Sequence, residues 1–137
     1  MRLYDSSAII NLCAQRKTDE LLEGYTLDLA PYEIGNAVWK QVHIHKTITE
    51  EEANTTLDAL TEIIKNMKSI EAEEPLEILR IAIEGDLTYY DASYLHTAIK
   101  NDLALIKDDQ KLHHVAKKYI ETIKTDTQNR GKTEGYR

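Results

Sequence analysis

Short apolar segments alternate along this chain with longer segments in which apolar residues recur every three or four positions. The short segments are typical of strands, and an unbroken apolar run such as 103–106 is typical of a strand buried in a parallel sheet. The predicted strands are 3–4, 25–29, 68–71, 103–106 and 120–123. The predicted helices are 6–13, 18–23, a helix from Pro31, a helix from Glu50, 75–85, a helix from Asp91, and 110–118. This alternation predicts an α/β fold, a three-layer α/β/α arrangement with a central, mainly parallel sheet.

Local signals support two of these helices. Thr49 and Glu52 have the spacing of a capping box, which predicts a helix that begins at position 50. Pro75 is favoured in the first turn of a helix, and Gly85 is a typical helix end. The apolar residues that repeat at helical spacing between them are Leu76, Leu79 and Ile83.

Four acidic residues occur where the chain is predicted to pass from a strand into a helix. They are Asp5, Glu33, Asp91 and Asp109. In an open α/β sheet such connections gather at the carboxyl ends of the strands, where ligands bind. Carboxylates crowded there repel one another, so removing one charge is expected to leave the metal-free protein at least as stable. A divalent cation would compensate these charges, and such a cation is suited to phosphodiester cleavage.

Each of these acids also has a simpler interpretation. Asp5 and Asp91 could each only cap a helix, and Glu33 could only complement a helix dipole. The metal site is favoured because the four acids occur together at matching places in the chain.

Two longer sequence blocks resemble a known family. They are Glu-Ile-Gly-Asn-Ala-Val-Trp-Lys at 33–40 and Tyr-Asp-Ala-Ser-Tyr-Leu at 90–95, together with Asp-Ser-Ser at 5–7 and Asp-Gln-Lys-Leu at 109–112. In this order they resemble the PIN-domain family and, within it, the VapC-type toxin ribonucleases. The resemblance implies that Asp5, Glu33, Asp91 and Asp109 bind one or two Mg²⁺ or Mn²⁺ ions that activate a water for RNA cleavage.

The resemblance also implies supporting residues around those acids. Ser6 or Ser7 would hydrogen-bond a carboxylate or a metal-bound water, and Asn36 would support the site from the helical face of Glu33. The chain departs from the family pattern before the fourth acid, where Lys107 stands in place of a hydroxylic residue. Lys107 could offset carboxylate repulsion, grip the scissile phosphate or lower metal affinity, and Asp108 is the alternative fourth acid.

Composition gives weaker constraints on function. The chain has 137 residues and a net charge of −7, and its lack of a long apolar run predicts no membrane span. A start directly in a strand predicts no signal peptide, and the single cysteine, Cys13, suits the cytoplasm. Residues 100–137 hold 9 basic and 6 acidic side chains. This basic excess could form a rim that binds a phosphate backbone, or it could only be a solvated helix face.

These observations predict a nuclease domain at 1–124 and a polar tail at 125–137. The predicted function is that of a metal-dependent endoribonuclease, the toxin of a toxin–antitoxin pair, with RNA as substrate and a small antitoxin protein as partner. A homodimer is expected, with contacts from the early helices around 18–23. The alternative is a catalytically silent module that binds RNA or a protein through the same acidic pocket.

Overall fold

A computed structural model describes residues 1–108, 110–120, 122–123 and 125 of the chain, with the backbone alone at 110, 111 and 123. The strands are β1 (Arg2–Tyr4), β2 (Tyr25–Leu27), β3 (Lys68–Ile70), β4 (Ala104–Ile106) and β5 (Thr122–Ile123). The helices are α1 (Ser6–Ala14), α2 (Asp19–Leu22), α3 (Ala30–His43), α4 (Glu50–Lys65), α5 (Pro75–Gly85), α6 (Tyr89–Lys100) and α7 (Gln110–Ala116). The predicted tail and the acid at position 109 lie outside the described residues, apart from Thr125.

The five strands form one sheet in the order β3-β2-β1-β4-β5, and every described pair is parallel. Because the strands all run the same way, their carboxyl ends share one edge. β1 lies at the centre of the sheet, with Tyr4 paired to Ile106 of β4. The segments that follow β1 and β4 therefore leave the sheet side by side.

Helices cover both faces of the sheet. Successive strand residues point to opposite faces, so Leu3 and Leu105 pack against α5, α6 and α7, whereas Tyr4 and Ile106 pack against α1, α3 and α4. Both clusters consist of fully or nearly fully buried side chains. The prediction of a three-layer α/β/α fold with a parallel sheet is confirmed.

The predicted elements are all present, with strands shorter than expected at β2, β3, β4 and β5. The capping box is confirmed: Thr49 Oγ1 accepts from the Glu52 N–H at 3.1 Å, and the Glu52 side chain accepts from the Thr49 N–H at 2.9 Å. Within the described part of the chain, no helix is both long and apolar enough to cross a membrane.

Two features of burial are not apparent from the sequence. The helical repeat on α5 lies on its solvent side, where Leu76, Leu79 and Ile83 are 81%, 46% and 70% exposed. The buried face of α5 is a second apolar stripe, made of Ile78, Ile81 and Ala82. Thr125, where the polar tail was predicted to begin, is buried.

Candidate active site

Asp5 stands at the end of the central strand and at the start of α1. Its side chain caps α1 by accepting the Ala8 N–H at 2.9 Å, and the Ser7 hydroxyl donates to both Asp5 carboxylate oxygens at 3.0 and 3.1 Å. Asp5 is therefore the N-cap of α1, as the simpler interpretation of this residue predicted. The Asp5 side chain is 1% exposed, so its charge is held by fixed protein dipoles and neighbours and not by water.

Lys107 is the cation nearest to that buried carboxylate. It follows β4 directly, and the Tyr4–Ile106 register places it beside Asp5 at the sheet edge. Its Nζ lies 2.5 Å from Asp5 Oδ2 and 3.3 Å from Asp91 Oδ1, and its side chain is 12% exposed. The sequence had left open whether Lys107 points into the site, and the structure shows that it does.

The ion pair changes the pKa values of Lys107 and Asp5. Burial lowers the pKa of Lys107, but the charges and hydrogen bonds of Asp5 and then Asp91 outweigh burial and leave this pKa well above its ordinary value. Burial raises the pKa of Asp5, and the Lys107 charge opposes that effect. The lysine therefore stays protonated at neutral pH and serves as a built-in counter-ion.

Glu33 reaches the same edge from the first turns of α3. Its Oε1 accepts a hydrogen bond from the Tyr94 hydroxyl at 2.8 Å, and Ser6 also hydrogen-bonds its carboxylate. Burial is the main cause of the raised pKa of Glu33, and the Asp5 charge adds to it. Hydrogen bonds from Tyr94 and Ser6 and the charge of Lys107 act in the opposite direction. The two serines thus serve different acids, Ser7 with Asp5 and Ser6 with Glu33.

Tyr94 was not predicted to belong to the site. Its ring is 1% exposed, and its hydroxyl orients Glu33. Burial and the adjacent Glu33 raise the pKa of Tyr94, so the hydroxyl keeps its proton and remains a donor. The signal in the sequence was its position three residues after Asp91, on the same face of α6.

The element that precedes Asp91 differs from the predicted one. It was expected to follow a strand, but α6 follows another helix, α5, and Thr88 caps α6 by accepting the Asp91 N–H at 3.0 Å. α6 leads into β4, so it runs back along the sheet and starts at the edge where the parallel strands end. Asp91, in the first turn of α6, therefore lies at the same carboxyl edge of the sheet as Asp5.

The remaining predicted residues have separate environments. The Asp108 carboxylate accepts from Asn11 Nδ2 at 2.6 Å and from the Thr125 backbone N–H at 2.7 Å, contacts that join α1 to the last part of the domain. Asn36 is exposed on α3, in a groove that Glu33 also lines. The role predicted for Asp109 concerns a residue outside the described part of the chain.

The donor chemistry of this site suits a hard divalent cation. Asp5, Glu33 and Asp91 offer only carboxylate oxygens, the ligands that Mg²⁺ and Mn²⁺ prefer. In the described part of the chain, however, no three acidic, histidine or cysteine side chains are grouped closely enough to hold an ion. The Lys107 ammonium instead lies between Asp5 and Asp91, as a stand-in cation. The oxygens of Asp5 and Asp91 would be free for a metal only after the ammonium is displaced.

Comparison with known proteins agrees with this architecture. The PIN-domain profile matches residues 3–118. Exonuclease VapC9 of Pyrobaculum aerophilum is 33% identical over 114 residues, which cover 80% of this chain and 81% of that protein. Ribonuclease VapC3 of the same organism is 34% identical over 100 residues, which cover 72% of this chain and 76% of that protein. The crystal structure of PAE2754 from Pyrobaculum aerophilum superposes with a TM-score of 0.80 at 29% identity, covering 93% and 92% of the two chains.

The fold is thus that of a PIN domain, and this chain belongs to the PIN-domain family. Its curated relatives are VapC-type proteins named for nuclease activity. The resemblance found in the sequence is therefore confirmed.

Proposed function

We propose that this protein is a Mg²⁺- or Mn²⁺-dependent endoribonuclease that acts as the toxin of a toxin–antitoxin pair. The observation that carries the proposal is the pairing of Asp5 and Asp91 with Lys107 at the carboxyl edge of the sheet, with Glu33 near enough for the Asp5 charge to raise its pKa. The two nuclease relatives support the reaction class. The catalytic and metal-binding residues in this proposal are Asp5, Glu33, Asp91 and Asp109.

The residues of the chain have distinct tasks in this mechanism. Asp5, Glu33 and Asp91, completed by Asp109, would hold the ion, whose Lewis acidity would activate a water and stabilise charge on the phosphate. Ser7 orients the Asp5 carboxylate, and the Tyr94 hydroxyl orients that of Glu33. Such fixed hydrogen bonds preorganise a charged site before substrate arrives.

The proposal is tested with a circular single-stranded RNA, which has no ends for an exonuclease. We expect the purified protein to linearise it with Mn²⁺ or Mg²⁺ and to leave it intact with a chelator. Cleavage of linear RNA alone would replace the endonuclease proposal with an exonuclease one, the activity named for one relative. Cleavage that persists in chelator would contradict the metal requirement.

One observation favours a second candidate, a catalytically silent module that binds RNA or a protein partner. Lys107 already compensates Asp5 and Asp91, so the site is assembled without a metal. A calorimetric titration with Mn²⁺ separates the two candidates. Absence of both metal binding and cleavage, with RNA still bound, would favour the silent module.

The toxin assignment implies a cytoplasmic protein and a small antitoxin partner. A short reading frame directly upstream of the gene is the place to seek that partner. Co-expression of the two should yield a complex, and the complex should cleave RNA more slowly than the free enzyme.

We also expect a homodimer, so light scattering should give about twice the 15.7 kDa mass of the chain. The contacts were predicted around 18–23, where Leu22 is 44% exposed, and the exposed stripe on α5 is a second apolar surface that a copy could cover. Leu22→Glu and Ile83→Glu distinguish these surfaces, since only the variant at the true interface should run as a monomer. A monomeric wild-type protein at tens of micromolar would contradict the expectation.

A further inference from the structure

The two residues that follow β4 are held by contacts from several parts of the chain. The carbonyl oxygen of Lys107 accepts a hydrogen bond from Nε2 of His113, a buried side chain of α7. The Asp108 carboxylate accepts from Asn11 on α1 and from the backbone N–H of Thr125, at 2.6 and 2.7 Å. Helices α7 and α1 and the segment after β5 therefore fix the backbone from which the Lys107 side chain projects.

His113 is in turn oriented by β5. Its side chain is buried, and its Nδ1 lies 2.8 Å from the hydroxyl oxygen of Thr122, which is also buried. A backbone carbonyl can only accept a hydrogen bond, so Nε2 carries a proton in the contact with Lys107. In the neutral ring, Nδ1 then accepts a hydrogen bond from the Thr122 hydroxyl. The two contacts together direct the Nε2–H of the imidazole at the Lys107 carbonyl.

The position of the Lys107 backbone matters because of the ion pair that its side chain makes. The ammonium lies 2.5 Å from Asp5 Oδ2 and 3.3 Å from Asp91 Oδ1, and little of the side chain is exposed. A buried ion pair offsets the cost of removing its charges from water only when its geometry is good. Lysine has a long and flexible side chain, so an anchored backbone limits the positions that its ammonium can reach. A contact with the Lys107 carbonyl can therefore determine how well the ammonium pairs with both acids.

We propose that His113 is a positioning residue for Lys107, whose carbonyl it holds so that the ammonium reaches Asp5 and Asp91 together. The ammonium then leaves the two acids by rotation of the lysine side chain, while the backbone stays in place. For metal binding the inference rests on the proposed function, because the ammonium occupies carboxylate oxygens that the ion would use. For the metal-free protein it rests on the observed contacts alone.

Urea denaturation in chelator tests the inference without metal. His113→Met removes both ring nitrogens and keeps an apolar side chain of similar length. It should lower the urea midpoint about twice as much in the wild type as in Lys107→Met, because only the wild type has an ion pair to weaken. His113→Gln should keep most of the wild-type midpoint, since its amide N–H can donate to the same carbonyl. Equal losses in the two backgrounds would overturn the inference.

Two further variants complete the urea experiment. Thr122→Val removes the hydroxyl that orients the ring, so its effect should depend on Lys107 in the same way and be smaller. It replaces His113→Met in the comparison if that variant does not fold. His114→Gln is the matched control, because His114 is the exposed neighbour of His113 on α7 and should not change the midpoint in either background.

Calorimetry with Mn²⁺ measures the effect of His113 on the proposed metal site. A poorly held ammonium competes less well for Asp5 and Asp91, so His113→Met should bind Mn²⁺ about threefold more tightly than the wild type. In the Lys107→Thr background the same substitution should leave the affinity unchanged, since no ammonium competes. His113→Gln should bind Mn²⁺ like the wild type. A change of equal size in both backgrounds would show that His113 acts independently of Lys107 and would overturn the inference.

Failure of this inference and failure of the proposed nuclease function give different results. A protein that neither binds Mn²⁺ nor cleaves RNA contradicts the proposed function, and the urea comparison alone then decides the role of His113. A protein that cleaves RNA with Mn²⁺, but in which the effects of His113→Met and Lys107→Met on the urea midpoint simply add, overturns the positioning role and leaves the nuclease proposal intact.

Discussion

Asp5→Asn is expected to abolish RNA cleavage and also to lower the free energy of unfolding in chelator by about 3 kcal/mol. The loss of cleavage follows from removal of a proposed metal ligand. The loss of stability follows from Lys107, whose buried ammonium lies 2.5 Å from Asp5 and would keep only Asp91 as a charged partner. Removing one member of a buried pair is costly because the other charge stays buried. Thermal and urea denaturation in chelator measure the change.

The predicted loss of stability differs from the expectation based on the sequence. That expectation was that removing an acid relieves repulsion and leaves the metal-free protein at least as stable. That expectation treated the acids as uncompensated, whereas Lys107 lies between Asp5 and Asp91. The double variant Asp5→Asn, Lys107→Met tests the explanation, because it removes both charges of the pair. It should recover most of the lost stability and none of the cleavage. Equal stability of the single and double variants would contradict the ion-pair explanation.

Glu33→Gln is the matched comparison within the same site. Glu33 has a pKa raised chiefly by burial, and a glutamine can still accept the Tyr94 hydrogen bond. We expect this variant to be as stable as the wild type, or more stable, in chelator and yet to lose cleavage. A drop in stability as large as that of Asp5→Asn would show that Glu33 has a structural role of its own.

The pH dependence of the ion pair has a defined sign. The pKa of Lys107 is raised in the folded protein above its ordinary value of 10.5. Its pairing therefore contributes stability that is fully present below pH 10.5 and is lost as the pH rises through the folded value. The stability difference between the wild type and Lys107→Met should shrink as the pH falls, because without Lys107 the pKa of Asp5 rises further and the buried carboxyl takes up a proton.

The order of elements could be predicted because each strand and helix has a local signal. The buried face of α5 could not, since that helix has two apolar stripes and only packing decides which is covered. Leu76 and Ile83 repeat at helical spacing as well as Ile78 and Ile81 do. Periodicity shows that a helix is amphipathic, but two apolar stripes leave its orientation undetermined.

The acids at the sheet edge could also be predicted, because they fit a family pattern. The partners of those acids could not, since they depend on contacts between segments distant in the sequence. The Lys107–Asp5 pair follows from the strand register, and the Tyr94–Glu33 hydrogen bond spans 61 positions. A single sequence does not show that the two residues of either pair lie close together.

Lys107→Thr is expected to tighten Mn²⁺ binding by about tenfold, a free-energy gain of about 1.4 kcal/mol. In the wild type the ammonium must leave Asp5 and Asp91 before a divalent ion can use their oxygens, and its side chain is only 12% exposed. Threonine removes that competitor and restores the hydroxylic residue of the family pattern. Isothermal titration calorimetry with Mn²⁺ measures the change in affinity.

Lys100→Thr is the matched control for this prediction. Lys100 also pairs with two acids, Glu73 at 3.0 Å and Glu74 at 3.2 Å, but that cluster is exposed, so Mn²⁺ affinity should not change. Without metal, Lys107→Thr should melt below the wild type, because Asp5 is left as an uncompensated buried charge. Saturating Mn²⁺ should then raise its melting temperature by more than it raises that of the wild type. Tighter metal binding with slower cleavage would show that Lys107 also holds the scissile phosphate, and unchanged Mn²⁺ affinity would contradict the competition.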